Sequence, residues 1–238
     1  MKEKSTIEDI RKRFDADVER FSQLETGQQA IIDAPLMMEL ISAAASATNP
    51  NAKRVLDIGC GAGNQTLKLL SLLPDMHCDL LDLSKPMLDR AFQRVSNVTN
   101  GAVRTFQKDI REAELEEGSY DILLAGAVLH HLRDEADWEE TFTKLYRLLA
   151  PGGSLWISDM VYHDDPLVHK LMWDRYGDFL VKLGGEEYRN KVFSYIEIED
   201  SPRSLTYQVK LLNKVGFQQV EILHKNSCFA AFGGIKEK

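Results

Sequence analysis

Apolar residues Ile7, Ile10, Phe14, Val18, Phe21 and Leu24 recur every three or four positions, and Ser5 stands three residues ahead of Glu8, the spacing of a capping box. An amphipathic first helix is expected. Thr26 and Gly27 interrupt it, and Asp33 with Pro35 in the first turn starts a second helix carrying Leu36, Met37, Leu40 and Ile41. From Arg54 the pattern changes. Val55, Leu56 and Ile58 form a short apolar run that holds one acid, Asp57, and gives way to three alternating glycines, Gly59, Gly61 and Gly63, before a helical run with Leu67, Leu69 and Leu70. Further strands are expected at 78–83, 103–107, 120–125 and 154–158. Between them lie a helix capped by Ser84 and carrying Met87, Leu88, Ala91, Phe92 and Val95, and another over about 135–149 that stops at Pro151, Gly152 and Gly153.

Strands alternating with helices at this spacing predict a parallel, doubly wound sheet. The tail breaks the rhythm. A helix over 204–215 leads through Gly216 into strand-like runs at 217–223 and 227–232, separated by only His224, Lys225 and Asn226. So short a connection joins antiparallel strands, and the sheet is expected to end in a hairpin. The reading is one domain in four parts: a helical extension (1–50) that packs on the sheet edge or acts as a lid, a core (53–160), a helical insert after strand five (161–202), and a closing helix and hairpin (203–238).

Composition narrows the partners. The 238-residue chain carries a formal charge of -8, with 37 acids against 29 Lys plus Arg, which argues against broad adhesion to nucleic acid or anionic lipid. Cys60, Cys78 and Cys228 are widely spaced and odd in number, so neither a disulfide framework nor a CxxC metal site is indicated. The first fourteen residues are charged throughout, and no apolar run reaches membrane-spanning length. A cytoplasmic protein, monomeric or homodimeric, is expected.

A strand that turns directly into a helix through glycines lets a ligand approach the backbone. Such a turn alone is a weak signal. Asp82, nineteen residues beyond Gly63, stands at the distance where a carboxylate accepts from both ribose hydroxyls of a nucleoside, and Asp109 closes the next strand. Each of these acids also has a plain surface or helix-start reading. Together they place three carboxylates at the sheet edge where ligands bind in open α/β folds.

With these pieces in order, LDIGCGAG, LLDLSKPML, QKDI, YDILLAGAVLHHL and LLAPGGSLWISD followed by the hairpin, the chain resembles the class I S-adenosylmethionine-dependent methyltransferases over roughly residues 53–234. The resemblance implies a Rossmann-like, mostly parallel seven-stranded sheet and S-adenosyl-L-methionine as cofactor, leaving S-adenosyl-L-homocysteine. It also implies that Asp57 and the loop of Gly59, Cys60, Gly61 and Gly63 hold the methionine end, and that Asp82 holds the ribose. Asp109 and Ile110 would hold the adenine, with Leu83 and Met87 lining its pocket and Ala125 lending a carbonyl to the amino group. Met87 also suits a helix core, and Cys60 a small buried filler.

Within that superfamily the chain is similar to the carboxy-S-adenosylmethionine synthase group in its early FD helix, its insert and its closing GF…CFAAFG pattern. It departs from that group in having no arginine between Ser204 and Gly216, where the extra carboxylate would be bound; Lys210 or Leu211 falls there. The carboxylated product is therefore not the one expected; methyl transfer to a small-molecule acceptor is. Alternatives are a carboxy-transferring or tRNA-modifying enzyme and a non-catalytic binder of the cofactor.

In-line displacement on a sulfonium needs positioning above all, worth on the order of 7 to 11 kcal/mol, and a base only when the nucleophile arrives protonated. Candidate bases are His163, His131 with its neighbour His130, and Tyr162 with Asp159. No metal is expected, since the neighbours His163, Asp164 and Asp165 do not converge on one point. The insert concentrates aromatics, and Trp173, Arg175, Tyr176 and Tyr195 are the candidate acceptor contacts. The alternative for the insert is plain packing, because Leu167, Leu171, Phe179 and Leu183 have helical spacing.

Overall fold

Thr6 opens the first helix, not Ser5. In the computed structural model, which describes residues 4–23 and 28–238, the Asp9 N–H donates to the Thr6 hydroxyl at 3.2 Å and the Thr6 N–H to the Asp9 carboxylate at 3.1 Å. The Ser5–Glu8 box does not form because the Ser5 backbone is engaged elsewhere. Its N–H donates to the Ile198 carbonyl at 2.9 Å, and its own carbonyl accepts from Arg133 at 2.9 Å. Helix α1 (Ile7–Asp15) ends just before Asp17, which leaves helical angles, and a single turn, α2 (Val18–Phe21), follows. The unbroken helix expected through Leu24 is thus two pieces; Leu24, Thr26 and Gly27 lie outside the described residues.

Helix α3 (Ala34–Thr48) starts with Pro35 in its first turn, as its sequence predicts. Asp33 makes no side-chain cap. It takes a left-handed conformation (φ 58°), and its carboxylate accepts from Asn226 at 2.8 Å and pairs with His224 at 2.9 Å.

Strands β1 (Arg54–Ile58), β2 (His77–Asp82), β3 (Val103–Gln107), β4 (Tyr120–Gly126), β5 (Leu149–Met160), β6 (Gln219–Asn226) and β7 (Phe229–Ile235) form one sheet in the order β3-β2-β1-β4-β5-β7-β6. The first five are mutually parallel, and β7 runs against both β5 and β6. This is the expected Rossmann-like, doubly wound α/β sheet with its closing hairpin. Helices α4 (Asn64–Leu70), α5 (Lys85–Ser96) and α6 (Glu135–Leu148) connect the parallel strands; α7 (Pro166–Glu199) forms the insert and α8 (Leu205–Val215) precedes the hairpin.

Two boundaries differ from expectation for clear reasons. β5 begins at Leu149, opposite Tyr120, and carries Pro151, Gly152 and Gly153 inside a register shift instead of after a helix end. A side chain at Gly153 would meet the Tyr120 carbonyl at 3.0 Å, so only glycine lets the strand pass there. His224, Lys225 and Asn226 belong to β6, and the tight turn is Ser227 (φ 50°) and Cys228. Polar side chains suit β6 because it is an edge strand.

Alternation along β1 divides the core. Val55 packs with Met37 and Ile41 of α3, Leu69 of α4 and Leu180 of α7; Leu56 and Ile58 pack with Phe142 of α6 and Leu212 of α8. The insert is one long helix broken at Gly185 (φ 84°). Its packing face is Tyr176, Leu180, Val192 and Ile196. Leu167 and Leu171 point to solvent, 78% and 63% exposed, against the packing expected from their spacing. Among the described residues no helix is long and apolar enough to cross a membrane.

Candidate functional site

The three glycines after β1 have left-handed backbones for three different reasons. A Cβ at Gly59 (φ 64°) would strike Val128 at 2.5 Å, and one at Gly63 (φ 83°) would press on Ala91 of α5 at 3.3 Å. At Gly61 (φ 50°) a Cβ would meet none of the described residues within 4 Å, and the position borders an open cavity. The loop is held by the Cys60 N–H on the Leu81 carbonyl (3.0 Å) and the Gly61 N–H on the Asp82 carboxylate (2.8 Å).

That cavity, about 450 Å³, lies over the carboxyl ends of β1, β2, β4 and β5. Ile7, Ile10 and Phe14 of α1 roof it, and Tyr176, Tyr195 and Ile196 of α7 flank it. At one end Asp82 accepts the N–H of Gly61 on one oxygen and that of Ser84 on the other, both at 2.8 Å, so each oxygen keeps an acceptor position for a ligand. Burial pushes the Asp82 carboxyl above its ordinary range. Leu83, Met87 and Ile110 form an apolar wall beside it. Asp109 is gripped by Arg111 through Nε (2.9 Å) and Nη2 (2.7 Å); burial would raise its pKa, but Arg111 outweighs this and holds it low. An open cradle at Gly61, a carboxylate with two free acceptor positions and an apolar slot fit the adenosine part of S-adenosylmethionine.

Asp57 lies deeper, accepting from the Thr66 hydroxyl at 2.6 Å, and burial pushes its pKa up to about 7. Burial likewise pushes the Cys60 thiol well above its ordinary value, which makes it a filler and not a nucleophile.

The other end is polar. His130 Nδ1 pairs with Asp159, whose carboxylate also takes the N–H of His130 (3.1 Å) and of Met160 (2.7 Å). Asp200, following α7, has Oδ1 at 3.1 Å from His131 Nδ1 and 3.6 Å from His130 Nε2, neither aligned as a hydrogen bond. Burial would lower the His130 pKa, but Asp159 and Asp200 overrule it and push it up to about 9; burial and then His130 lower that of His131. Arg13 of α1 faces Glu199, and Arg133 binds the carbonyls of Glu199 and Ser5, tying the roof to the insert.

The cavity therefore gathers Asp57, Gly59, Cys60, Gly61, Asp82, Leu83, Met87, Asp109, Ile110, His131, Tyr176 and Tyr195 from the sequence-derived set. Gly63 and Ala125 stay behind it. Gly63 packs on α5, and the Ala125 side chain is buried in the core, while Gly126, the next residue of β4, borders the cavity. His163 and Tyr162 are also outside, because the chain has turned away from the sheet edge beyond Met160. Tyr162 stacks on His169 at 3.8 Å, and His163 meets Lys225 at 2.7 Å on the outer surface. Trp173 stacks on Phe193 at 4.6 Å, and Arg175 is exposed. Sequence reasoning missed Arg13, Glu199 and Asp200. Arg13, beside Phe14 on the apolar face of α1, carried a readable signal; the two acids after the insert resemble any polar helix end.

A sequence profile described as a methyltransferase domain matches residues 55–153. The demethylmenaquinone methyltransferase of Lactiplantibacillus plantarum is 30% identical over 190 residues, 77% of this chain and 78% of its own. The carboxy-S-adenosyl-L-methionine synthase of Shewanella loihica is 29% identical over 192 residues, 79% and 77% of the two chains. Among solved structures, Burkholderia thailandensis 1,6-didemethyltoxoflavin-N1-methyltransferase with bound 1,6-didemethyltoxoflavin and S-adenosylhomocysteine shares the fold at a TM-score of 0.63 and 17% identity, covering 96% of this chain and 88% of that one.

Proposed function

From a chain that belongs to the class I S-adenosylmethionine-dependent methyltransferases, we propose an enzyme that methylates a small molecule held at the histidine end of the cavity. When bound, the sulfonium cofactor supplies an activated methyl group. The protein's part is to hold the two partners in line, which is worth on the order of 7 to 11 kcal/mol. Asp82 takes the ribose hydroxyls, Asp109 and Ile110 the adenine, and Asp57 with the glycine loop the methionine end. The acceptor lies against His131, Tyr195 and Tyr176 beneath α1, which serves as a lid.

The observation that carries this reading is the shape of the cavity: one space of about 450 Å³ joins Asp82 to His131 under a helical roof, which suits a small acceptor and not a polymer. The three buried, unpaired cysteines suit the reducing cytoplasm.

A second reading, carboxy transfer to the cofactor, draws on the likeness to the Shewanella synthase. Against it, α8 contains no arginine. Native mass spectrometry of the purified protein separates the two. Co-purifying S-adenosylmethionine or S-adenosylhomocysteine supports methyl transfer; a carboxylated analogue supports the second reading. Calorimetry in which neither S-adenosylmethionine nor S-adenosylhomocysteine binds, with Asp82→Ala behaving like the parent, would sink both.

A further inference from the structure

His130, His131 and Asp200 bring their ligating atoms within 4.8 Å of one another at the acceptor end of the cavity. Asp200 Oδ1 is 3.1 Å from His131 Nδ1 and 3.6 Å from His130 Nε2. Atoms that share a metal ion at about 2.0–2.2 Å lie about 3.0–3.5 Å apart in a tetrahedral or octahedral shell. The two separations from Asp200, 3.1 and 3.6 Å, are close to that range.

His131 Nδ1 and Asp200 Oδ1 are buried and face each other as an ion pair, but among the described residues neither has an aligned hydrogen bond, and the Asp200 side chain is only 5% exposed. Two buried polar atoms left without aligned hydrogen bonds are costly, and a shared ligand would relieve that cost. His130 is oriented for the same point. Asp159 engages its Nδ1, which directs Nε2 toward Asp200, and Asp159 is itself fixed by the backbone N–H groups of His130 and Met160. A carboxylate behind a histidine is the usual support of a metal-bound imidazole.

We propose that His130 Nε2, His131 Nδ1 and Asp200 Oδ1 bind one divalent first-row transition-metal ion. Two imidazoles and one carboxylate on one side of the ion leave its remaining positions open to the cavity. An oxygen, nitrogen or sulfur atom of the acceptor would fill one of them. That last role rests on the methyl-transfer reading; the metal site does not. The imidazoles bind a metal as neutral ligands, so any proton on a ligating nitrogen passes to solvent as the ion binds.

The test uses the full-length protein, stripped with a chelator and titrated with Co(II) while visible d–d absorption is followed. The expected result is one Co(II) per chain, displaced by Zn(II), with paramagnetically shifted proton resonances from two histidines in the unaltered protein. His131→Ala and Asp200→Asn should each weaken binding by at least about 100-fold, and Asp159→Asn by about 10- to 100-fold. His163→Ala, on the outer surface, should bind like the parent. If the unaltered protein shows no d–d bands or only one shifted histidine, or if folded His131→Ala or Asp200→Asn binds like the parent, the proposal is overturned. Calorimetry with S-adenosylhomocysteine on the same stripped sample reads the methyltransferase assignment separately, so either idea can fail alone.

Discussion

Arg13, on the helix that roofs the cavity, faces Glu199, at the end of the insert helix, with 2.5 Å between guanidinium and carboxylate. Glu199 is nearly buried, so removing its partner strands a charge, and breaking such a pair costs about 3–5 kcal/mol when nothing relaxes. The roof relaxes by undocking. Arg13→Ala should therefore speed S-adenosylhomocysteine release by about tenfold or more in stopped-flow measurements, an estimate scaled down from that cost. An unchanged release rate would show that α1 does not close the site.

Asp82 offers both of its oxygens to a ligand while two backbone N–H groups hold it in place. Hydrogen bonds to a charged group are worth about 1.5–3 kcal/mol. Asp82→Ala should cost about 100-fold in S-adenosylhomocysteine affinity by calorimetry, with near-normal far-ultraviolet circular dichroism.

Burial pushes the Asp57 pKa up to about 7, against the hydrogen bond from Thr66. If the cofactor's ammonium binds there, it selects the ionised carboxylate. Affinity for S-adenosylhomocysteine should then be flat above about pH 7 and fall toward tenfold per unit below it, while Asp57→Asn gives a weaker, level profile. A parent profile as level as that of Asp57→Asn would remove Asp57 from the binding set.

Asp79, buried in β2, accepts from Tyr120 (2.7 Å), Arg104 (2.7 and 2.6 Å) and Arg54 (3.1 Å). Burial would raise its pKa, but these donors outweigh it and hold it low. A depressed folded-state pKa contributes stability that is fully present above the unfolded value, about 3.9, and is lost as pH falls through the folded value. Urea melts should show Asp79→Asn less stable by about 2–4 kcal/mol at pH 7. The gap should narrow only in the acid range, and a constant gap down to pH 2 would contradict this account.

Where function follows from backbone geometry, it was legible in the residues. Gly59, Gly61 and Asp82 announce a turn and a carboxylate that local spacing fixes, and the strands follow from apolar runs. The acceptor end was not, because it is assembled from distant pieces. Asp200 is an ordinary acid until the chain after α7 comes back beside His130, where the Ser201 N–H donates to the His130 carbonyl at 2.7 Å, and sets it against His131. His163 shows the converse: a histidine after the fifth strand has the right address in sequence, but the chain has turned outward by the time it arrives. Leu167 and Leu171 mislead in the same way, since helical spacing defines a face without saying whether anything covers it.

The bond between Asp33 and Asn226 spans 193 positions of sequence. During synthesis on the ribosome, α3 and the helices before it emerge long before the strand that anchors Asp33 exists. Contacts of such separation form late, because loop closure must come first. The start of α3 is accordingly among the last parts to settle, fixed only when the hairpin is in place. A nascent chain lacking β6 and β7 would thus have the glycine loop and the helices that cover it, but the start of α3 would lack its partners His224 and Asn226.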